Sequence, residues 1–198
     1  MPGRDAGEPR VTGREALVPY ATVEGQSGKI AASVAERLTR AGWATRLLDA
    51  ASDQVGGLDR FDAAILVAPL HAGHYPEAIA AFTARHRDAL GRVPSAFISV
   101  SLSAAGEDPG DRAGLQRCVD AFATRTGWRP DVLHHAAGAF RFTRYSLLKR
   151  WALKYIAWRR GQPTDTGRDH ELTDWRRLGE FVDRFAAEAL AQARAPRP

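Results

Sequence analysis

Apolar residues along this chain follow two alternating rhythms. Short, largely apolar runs at 16–20, 44–48, 63–68, 95–101 and 131–137 are separated by stretches in which apolar positions recur three or four residues apart. Runs of the first kind are too short for helices and predict strands. Those at 63–68 and 95–101 carry no charge at all, the pattern of strands covered on both faces. The wider spacing predicts four helices. The first spans about 28–41, presents Ile30, Val34, Ala35 and Leu38 on one side and stops at Gly42. The second opens at Pro76 and carries Ile79, Phe82 and, more weakly, Leu90. In the third, Asp111 is the expected N-cap ahead of Leu115, Cys118, Val119 and Phe122. The last, 173–193, sets Trp175, Leu178, Phe181, Val182, Phe185 and Leu190 on one face. Five strands alternating with helices predict an α/β fold, a doubly wound five-stranded parallel sheet with helices on both faces. Pro19 is an awkward residue in that scheme, because it deletes a ladder donor from a strand expected near the centre. A local irregularity is expected there.

Ligands of such sheets bind beyond the carboxyl ends of the strands. Three loops reach that rim, at 22–27, 69–75 and 101–110. The first reads T-V-E-G-Q-S and leads straight into a helix, so the unpaired N–H groups of the first turn and the positive end of the helix dipole converge on one spot. An anion is the expected occupant, with Thr22, Gln26 and Ser27 as possible side-chain donors. Two familiar phosphate loops do not fit. In G-x-x-x-x-G-K-[ST] the first glycine would fall on Val23 and the final hydroxyl on Ile30, and G-x-G-x-x-G lacks its glycine at 23. A hydroxyl-rich loop remains, similar to the flavodoxin pattern [ST]-x-[TDE]-G-x-[ST] that binds the phosphate of FMN. An ordinary strand-to-helix turn fits the same letters.

Composition narrows the picture. At 198 residues, 44% hydrophobic and 26% charged, one globular domain is expected over 15–194, preceded by a loose arm at 1–14 with no apolar segment of signal or membrane-spanning length. The single cysteine, Cys118, excludes an internal disulfide and is expected to be buried in its helix. The formal charge of +5 is unlike a small acidic electron carrier. His71 and His74 lack the companions of a metal site, and G-x-S-x-G is absent, so neither a metal centre nor a serine hydrolase is expected.

The most distinctive stretch is 138–172, where a short connection would suffice. It carries Arg141, Arg144, Lys149, Arg150, Lys154, Arg159 and Arg160 before its first acidic residue, Asp165, and interleaves them with aromatics. Leu148, Trp151, Tyr155 and Trp158 follow a helical stripe with Arg150 and Lys154 off it. A basic helix with an aromatic face suits an anionic membrane surface, a large planar anionic ligand or a partner groove, and equally a segment packed on the body with its charges solvated. Nucleic acid is not expected.

With this insertion the chain resembles the flavodoxin-like, quinone-dependent protoporphyrinogen oxidases, over about 15–190. The resemblance rests on T-V-E-G-Q-S-G-K-I-A at 22–31, H-A-G-H-Y at 71–75, P-S-A-F-I-S-V-S-L at 94–102, W-R-P-D at 128–131, A-G-A-F-R-F-T-R-Y at 137–145, T-D-T at 164–166 and T-D-W at 173–175. It implies FMN as cofactor, protoporphyrinogen IX as substrate, a membrane quinone as acceptor, and a cytoplasmic protein held peripherally on the inner face of the membrane. By position, Thr22, Glu24, Gly25, Gln26 and Ser27 would hold the phosphate. Pro69, Leu70, His71, Ala72 and Gly73, with Ser101, Leu102 and Ser103, would line the flavin ring. Arg141, Arg144, Lys149, Arg150, Trp151 and Lys154 would meet substrate or membrane. No catalytic acid or base is assigned. Two other readings stay open at this point: an FMN-binding quinone reductase or electron carrier of the same fold, and a cofactor-free protein that uses the basic stripe on a membrane surface.

Overall fold

In the computed structural model the chain runs β1 (Glu15–Tyr20), α1 (Gln26–Arg40), β2 (Ala44–Asp49), β3 (Ala63–Pro69), α2 (Glu77–Leu90), β4 (Ser95–Ser101), a 3₁₀ turn (Ser103–Ala105), α3 (Pro109–Thr126), β5 (Val132–Ala137), β6 (Ala139–Phe140), β7 (His170–Glu171) and α4 (Trp175–Gln192). The residues described are 14–52, 55, 57–106, 108–140 and 170–192. The arm and nearly all of the basic insertion lie outside them.

The uncharged runs become the middle of the sheet. All seven residues of β3 and all seven of β4 are buried, whereas β2 and β5 at the edges are largely half-buried or exposed. The strand order is β2-β1-β3-β4-β5 and every pair is parallel. Alternate side chains therefore supply two cores. Ala16, Val18, Ile65, Val67, Ile98 and Val100 pack against α1 and α4, while Leu17, Leu66 and Phe97 pack with α2 and α3. The chain leaves β1 toward β2 on one side and resumes on the other with β3, so the order reverses between β1 and β3. Loops following β1, β3 and β4 are thus brought side by side on the rim where ligands of this architecture bind.

Pro19 produces the expected irregularity. On the β2 side β1 pairs without a break from Glu15 to Tyr20, but on the β3 side pairing holds at Ala16, Leu17 and Tyr20 and lapses at Val18 and Pro19. Ala21 N–H donates to the Val67 carbonyl at 3.0 Å, so odd positions of this stretch face β3, where proline has no hydrogen to give.

Three local expectations need correction. Asp108, not Asp111, caps α3, because its Oδ1 accepts from the N–H groups of Gly110 (2.6 Å) and Asp111 (3.2 Å) with Pro109 in the first turn. Trp175 is 39% exposed and donates to Glu171 Oε1 at 2.6 Å rather than joining the apolar face of α4, which belongs to Leu178, Val182 and Phe185. Cys118 is only half-buried at the margin of the α2–α3 core.

Candidate functional site

The start of α1 is built to leave its donors free. Gly25 takes φ 90° as N-cap, a conformation in which it can offer no side chain, and no other side chain caps the helix. The first turn holds no acidic residue. Thr22 Oγ1 accepts the Gly25 N–H at 2.9 Å and so holds the loop in shape while keeping its own hydrogen available. Ser27 is 2% exposed, and among the described residues its hydroxyl has no hydrogen-bond partner. Gln26 points elsewhere than expected. Its Nε2 donates to Thr173 Oγ1 (2.9 Å), which donates on to the Ala137 carbonyl (2.7 Å), tying the loop to the end of β5, and its buried Oε1 is left without a partner. Converging N–H groups, a serine hydroxyl without a partner among the described residues and no carboxylate in the turn are the features an anion needs. The residues present therefore fit a phosphate.

After β3, the backbones of His71 and His74 exchange both hydrogen bonds, at 3.0 and 2.9 Å, around Ala72 and Gly73. Both central residues have positive φ, 47° and 82°, as the tight hairpin turn requires. Ala72 is the one non-glycine residue with positive φ among those described, a strained choice at an exposed tip. The tip is held from below. Leu70 N–H bonds the Val100 carbonyl at 2.8 Å, and the buried Tyr75 donates to Ser99 Oγ at 2.8 Å while packing edge-on against Phe97 and Phe122. Burial pushes the Tyr75 phenol up to about 12.

Following β4, the buried Ser101 accepts the Ala104 N–H through Oγ at 3.2 Å, and Ser103 to Ala105 form a single 3₁₀ turn. Leu102 lies at its base, near Gly138, where an added Cβ would stand 3.9 Å from Leu102 Cδ2. Beyond this turn the outer edge of β5 borders a cleft of about 730 Å³ between α3 and the start of α4. His134 stacks on Phe181 with ring centroids 4.7 Å apart. Burial, reinforced by Arg177, His135 and Arg184 and opposed by Asp174, lowers its pKa to about 4. The native protein thus binds fewer protons here than the unfolded chain, whose imidazole titrates near 6.5. This contribution to stability is complete above about pH 6.5 and is lost as pH falls through about 4. Urea midpoints are expected to drop less steeply over that window in His134→Leu than in the parent. Parallel slopes would assign the acid sensitivity to other groups.

These geometries coincide with the results of comparison with known proteins. The flavodoxin domain model matches residues 17–167. A protoporphyrinogen IX dehydrogenase [quinone] of Escherichia coli (strain K12) is 30% identical over 171 residues, covering 86% of this chain and 93% of the relative. The chain belongs to the flavodoxin-domain, protoporphyrinogen IX dehydrogenase family. A family member from Leishmania major is 28% identical over 183 residues, 92% of this chain and 78% of its own. The fold also superposes on oxidised flavodoxin 1 from Bacillus cereus with a TM-score of 0.53 at 12% identity, covering 87% of this chain and 97% of that one.

Within this family frame, the residues expected around the cofactor from all three loops lie on one rim, and Thr22, Glu24, Gly25 and Ser27 form the loop at α1 as the sequence suggested. Gln26 is the exception in side-chain direction. Lys29, next to Gly28, reaches Glu171 at 3.4 Å and so turns toward β7. The substrate or membrane residues expected at Arg141, Arg144, Lys149, Arg150, Trp151 and Lys154 lie outside the described residues. β6 and β7 nevertheless pair antiparallel, Ala139 with Glu171 and Phe140 with His170, so the insertion leaves and rejoins the body at one place beyond β5. Among the described residues no His, Cys, Asp and Glu cluster has the makings of a metal site, and no helix is long and apolar enough to cross a membrane. Thr173 and the β5 cleft were not assigned roles from sequence. A threonine before a helix reads as an ordinary cap, and a cleft between a strand edge and two helices leaves no linear pattern.

Proposed function

We propose that this protein is an FMN-dependent protoporphyrinogen IX dehydrogenase that delivers the electrons to a quinone. The observation that carries the cofactor assignment is the uncapped start of α1, with Gly25 at φ 90° and a Ser27 hydroxyl that has no partner among the described residues, beside two further loops on the same rim. The substrate and acceptor are those for which relatives that match most of the chain are named.

In this reading the N–H groups at the start of α1, with the hydroxyls of Thr22 and Ser27, hold the phosphate, and Glu24 stands in the same loop. The 69–73 segment and Ser101 to Ser103 flank the ring and keep water from it. A flavin held there would supply the redox chemistry, two electrons at a time, so that the six-electron oxidation of one porphyrinogen reduces three quinones to quinols. The chain's own part is placement. Tyr75 stays a neutral phenol throughout the physiological range and serves as an anchor, not as a base.

The insertion supports a peripheral membrane location on the inner face of the cell membrane. Residues 138–172 hold eight of the 28 Lys and Arg and three of the 23 Asp and Glu, which accounts for the whole +5 and leaves 20 of each sign elsewhere. Positive charge gathered in one aromatic-rich segment suits an anionic lipid surface where a hydrophobic quinone resides. The test is the absorbance spectrum of the purified protein, then anaerobic mixing with protoporphyrinogen and a quinone. Flavin bands that bleach with porphyrinogen and recover with quinone are expected. Bands indifferent to porphyrinogen would overturn the substrate, and no flavin even after added FMN would overturn the cofactor.

A further inference from the structure

A cleft runs along β5 beside the loop that follows β4. Its lining is polar over most of its area, with apolar patches from Ala104, Ala105, Leu115, Leu133 and Leu172, and Arg112 of α3 and Arg177 of α4 border it. Most arginines among the described residues are occupied, for example Arg37 with Asp183, Arg92 with Asp59, Arg125 with Glu77 and Arg176 with Glu180. Neither Arg112 nor Arg177 has a side-chain hydrogen bond or ion pair among the described residues. Asp174, which also borders the cleft, is engaged in capping α4, its Oδ1 accepting the Arg177 N–H at 2.9 Å. His134 is neutral at physiological pH, and burial lowers the pKa of His135, whose buried Nδ1 lacks a partner. Positive charge in the cleft is therefore carried by the two guanidinium groups, set against the single carboxylate of Asp174.

A volume of about 730 Å³ lies in the range of sites for large organic ligands. Two arginines from different helices beside apolar patches match a planar molecule bearing more than one carboxylate. The wall is shared with the flavin rim, because Ser103 to Gly106 line the cleft on the far side of the β4 loop. We propose that this cleft seats the tetrapyrrole, with its carboxylates on Arg112 and Arg177. This rests on the dehydrogenase reading above and goes beyond it in placing the carboxylate clamp on the flavodoxin body, not on the insertion's own cations.

The experiment uses the full-length, FMN-loaded protein with protoporphyrin IX and its dimethyl ester as binding probes, and protoporphyrinogen for kinetics. Arg112→Gln with Arg177→Gln should weaken protoporphyrin binding and raise KM by about tenfold or more, with kcat and FMN affinity within about twofold of the parent. The parent should prefer the diacid to the diester by a similar factor, and the double variant should lose that preference. A merely structural role would not move the preference. A parent that oxidises porphyrinogen while the double variant keeps both KM and the diacid preference would overturn the cleft alone and leave the clamp to the insertion. A parent that binds neither probe and oxidises nothing would overturn the dehydrogenase reading and the cleft with it.

Discussion

An aspartate at Ser27 is expected to abolish FMN retention while leaving the apoprotein folded. Ser27 is the second residue of α1, 2% exposed, in a first turn with no carboxylate and no side-chain cap. A carboxylate introduced there takes the same N–H groups a phosphate would take and sets a like charge beside it. At about 4 Å and an effective dielectric near 20, that repulsion is on the order of 4 kcal/mol. The same aspartate meets the positive end of the α1 dipole, which stabilises a helix by roughly 0.3–1 kcal/mol and offsets part of its burial. The dissociation constant for FMN should therefore rise at least about a hundredfold, roughly 2.7 kcal/mol, while the apoprotein stays folded with a lowered melting temperature. Ser27→Ala removes only one hydrogen bond, about 0.5–1.5 kcal/mol, and should weaken FMN by about tenfold at most. Titration by quenching of FMN fluorescence checks both. An aspartate variant that binds FMN within about threefold of the parent would remove α1 as the phosphate holder.

The fold was legible because the sheet's centre and edges differ in composition. Ala63 to Pro69 and Ser95 to Ser101 have no charged residue to place, so they can only be interior strands, and both are fully buried. The edge strands are less obvious in isolation. β2 holds Arg46 and Asp49, and β5 holds two adjacent histidines, one toward each helical layer. Their assignment came from alternation with helices more than from their own letters. Helix ends were the weakest part. Asp108 and Asp111 have the same capping chemistry, and only the backbone path after the 3₁₀ turn decides that Asp108 accepts the bonds. Trp175 continues the apolar spacing of α4 but sits at its first residue, where the helix has already run past the edge of the core.

The site was legible where chemistry is local and obscure where it is not. A loop of Thr, Glu, Gly, Gln and Ser between a strand and a helix can be read as a candidate anion site, because the donors come from the backbone of the segment itself. The direction of Gln26 could not be read the same way, since it is set by Thr173, 147 residues further along. The cleft is likewise assembled from α3, β5 and α4, each contributing residues that look ordinary alone. Arg112 and Arg177 become notable only once the fold sets them on one cleft, neither in an ion pair among the described residues.

Tyr75 links the packing of the second core to the rim. Its ring lies 5.0 Å from Phe97 and 5.1 Å from Phe122, which stack on each other, and its hydroxyl reaches Ser99, a fully buried residue. One residue earlier the chain is still in the exposed His71–His74 hairpin. Tyr75→Ala is expected to lose about 3–5 kcal/mol, as other buried aromatic truncations do, and to lower the melting temperature by roughly 10 °C. Tyr75→Phe keeps the ring and strands the Ser99 hydroxyl, a loss of about 1–2 kcal/mol. The two variants should also part at the cofactor. Without the ring, the hairpin carrying His71 to Gly73 loses its anchor, so Tyr75→Ala should weaken FMN binding while Tyr75→Phe should not. The alkaline limb adds an independent readout. The phenol titrates at about 12 in the native protein against 10.0 when unperturbed, so its contribution to stability is complete below pH 10 and disappears as pH rises through about 12. Tyr75→Phe removes that contribution and should make the loss of stability across this interval shallower. Calorimetry across pH and FMN titration of both variants test the argument. If Tyr75→Ala binds FMN as tightly as the parent, the hairpin does not depend on its anchor and the 69–73 segment does not grip the flavin.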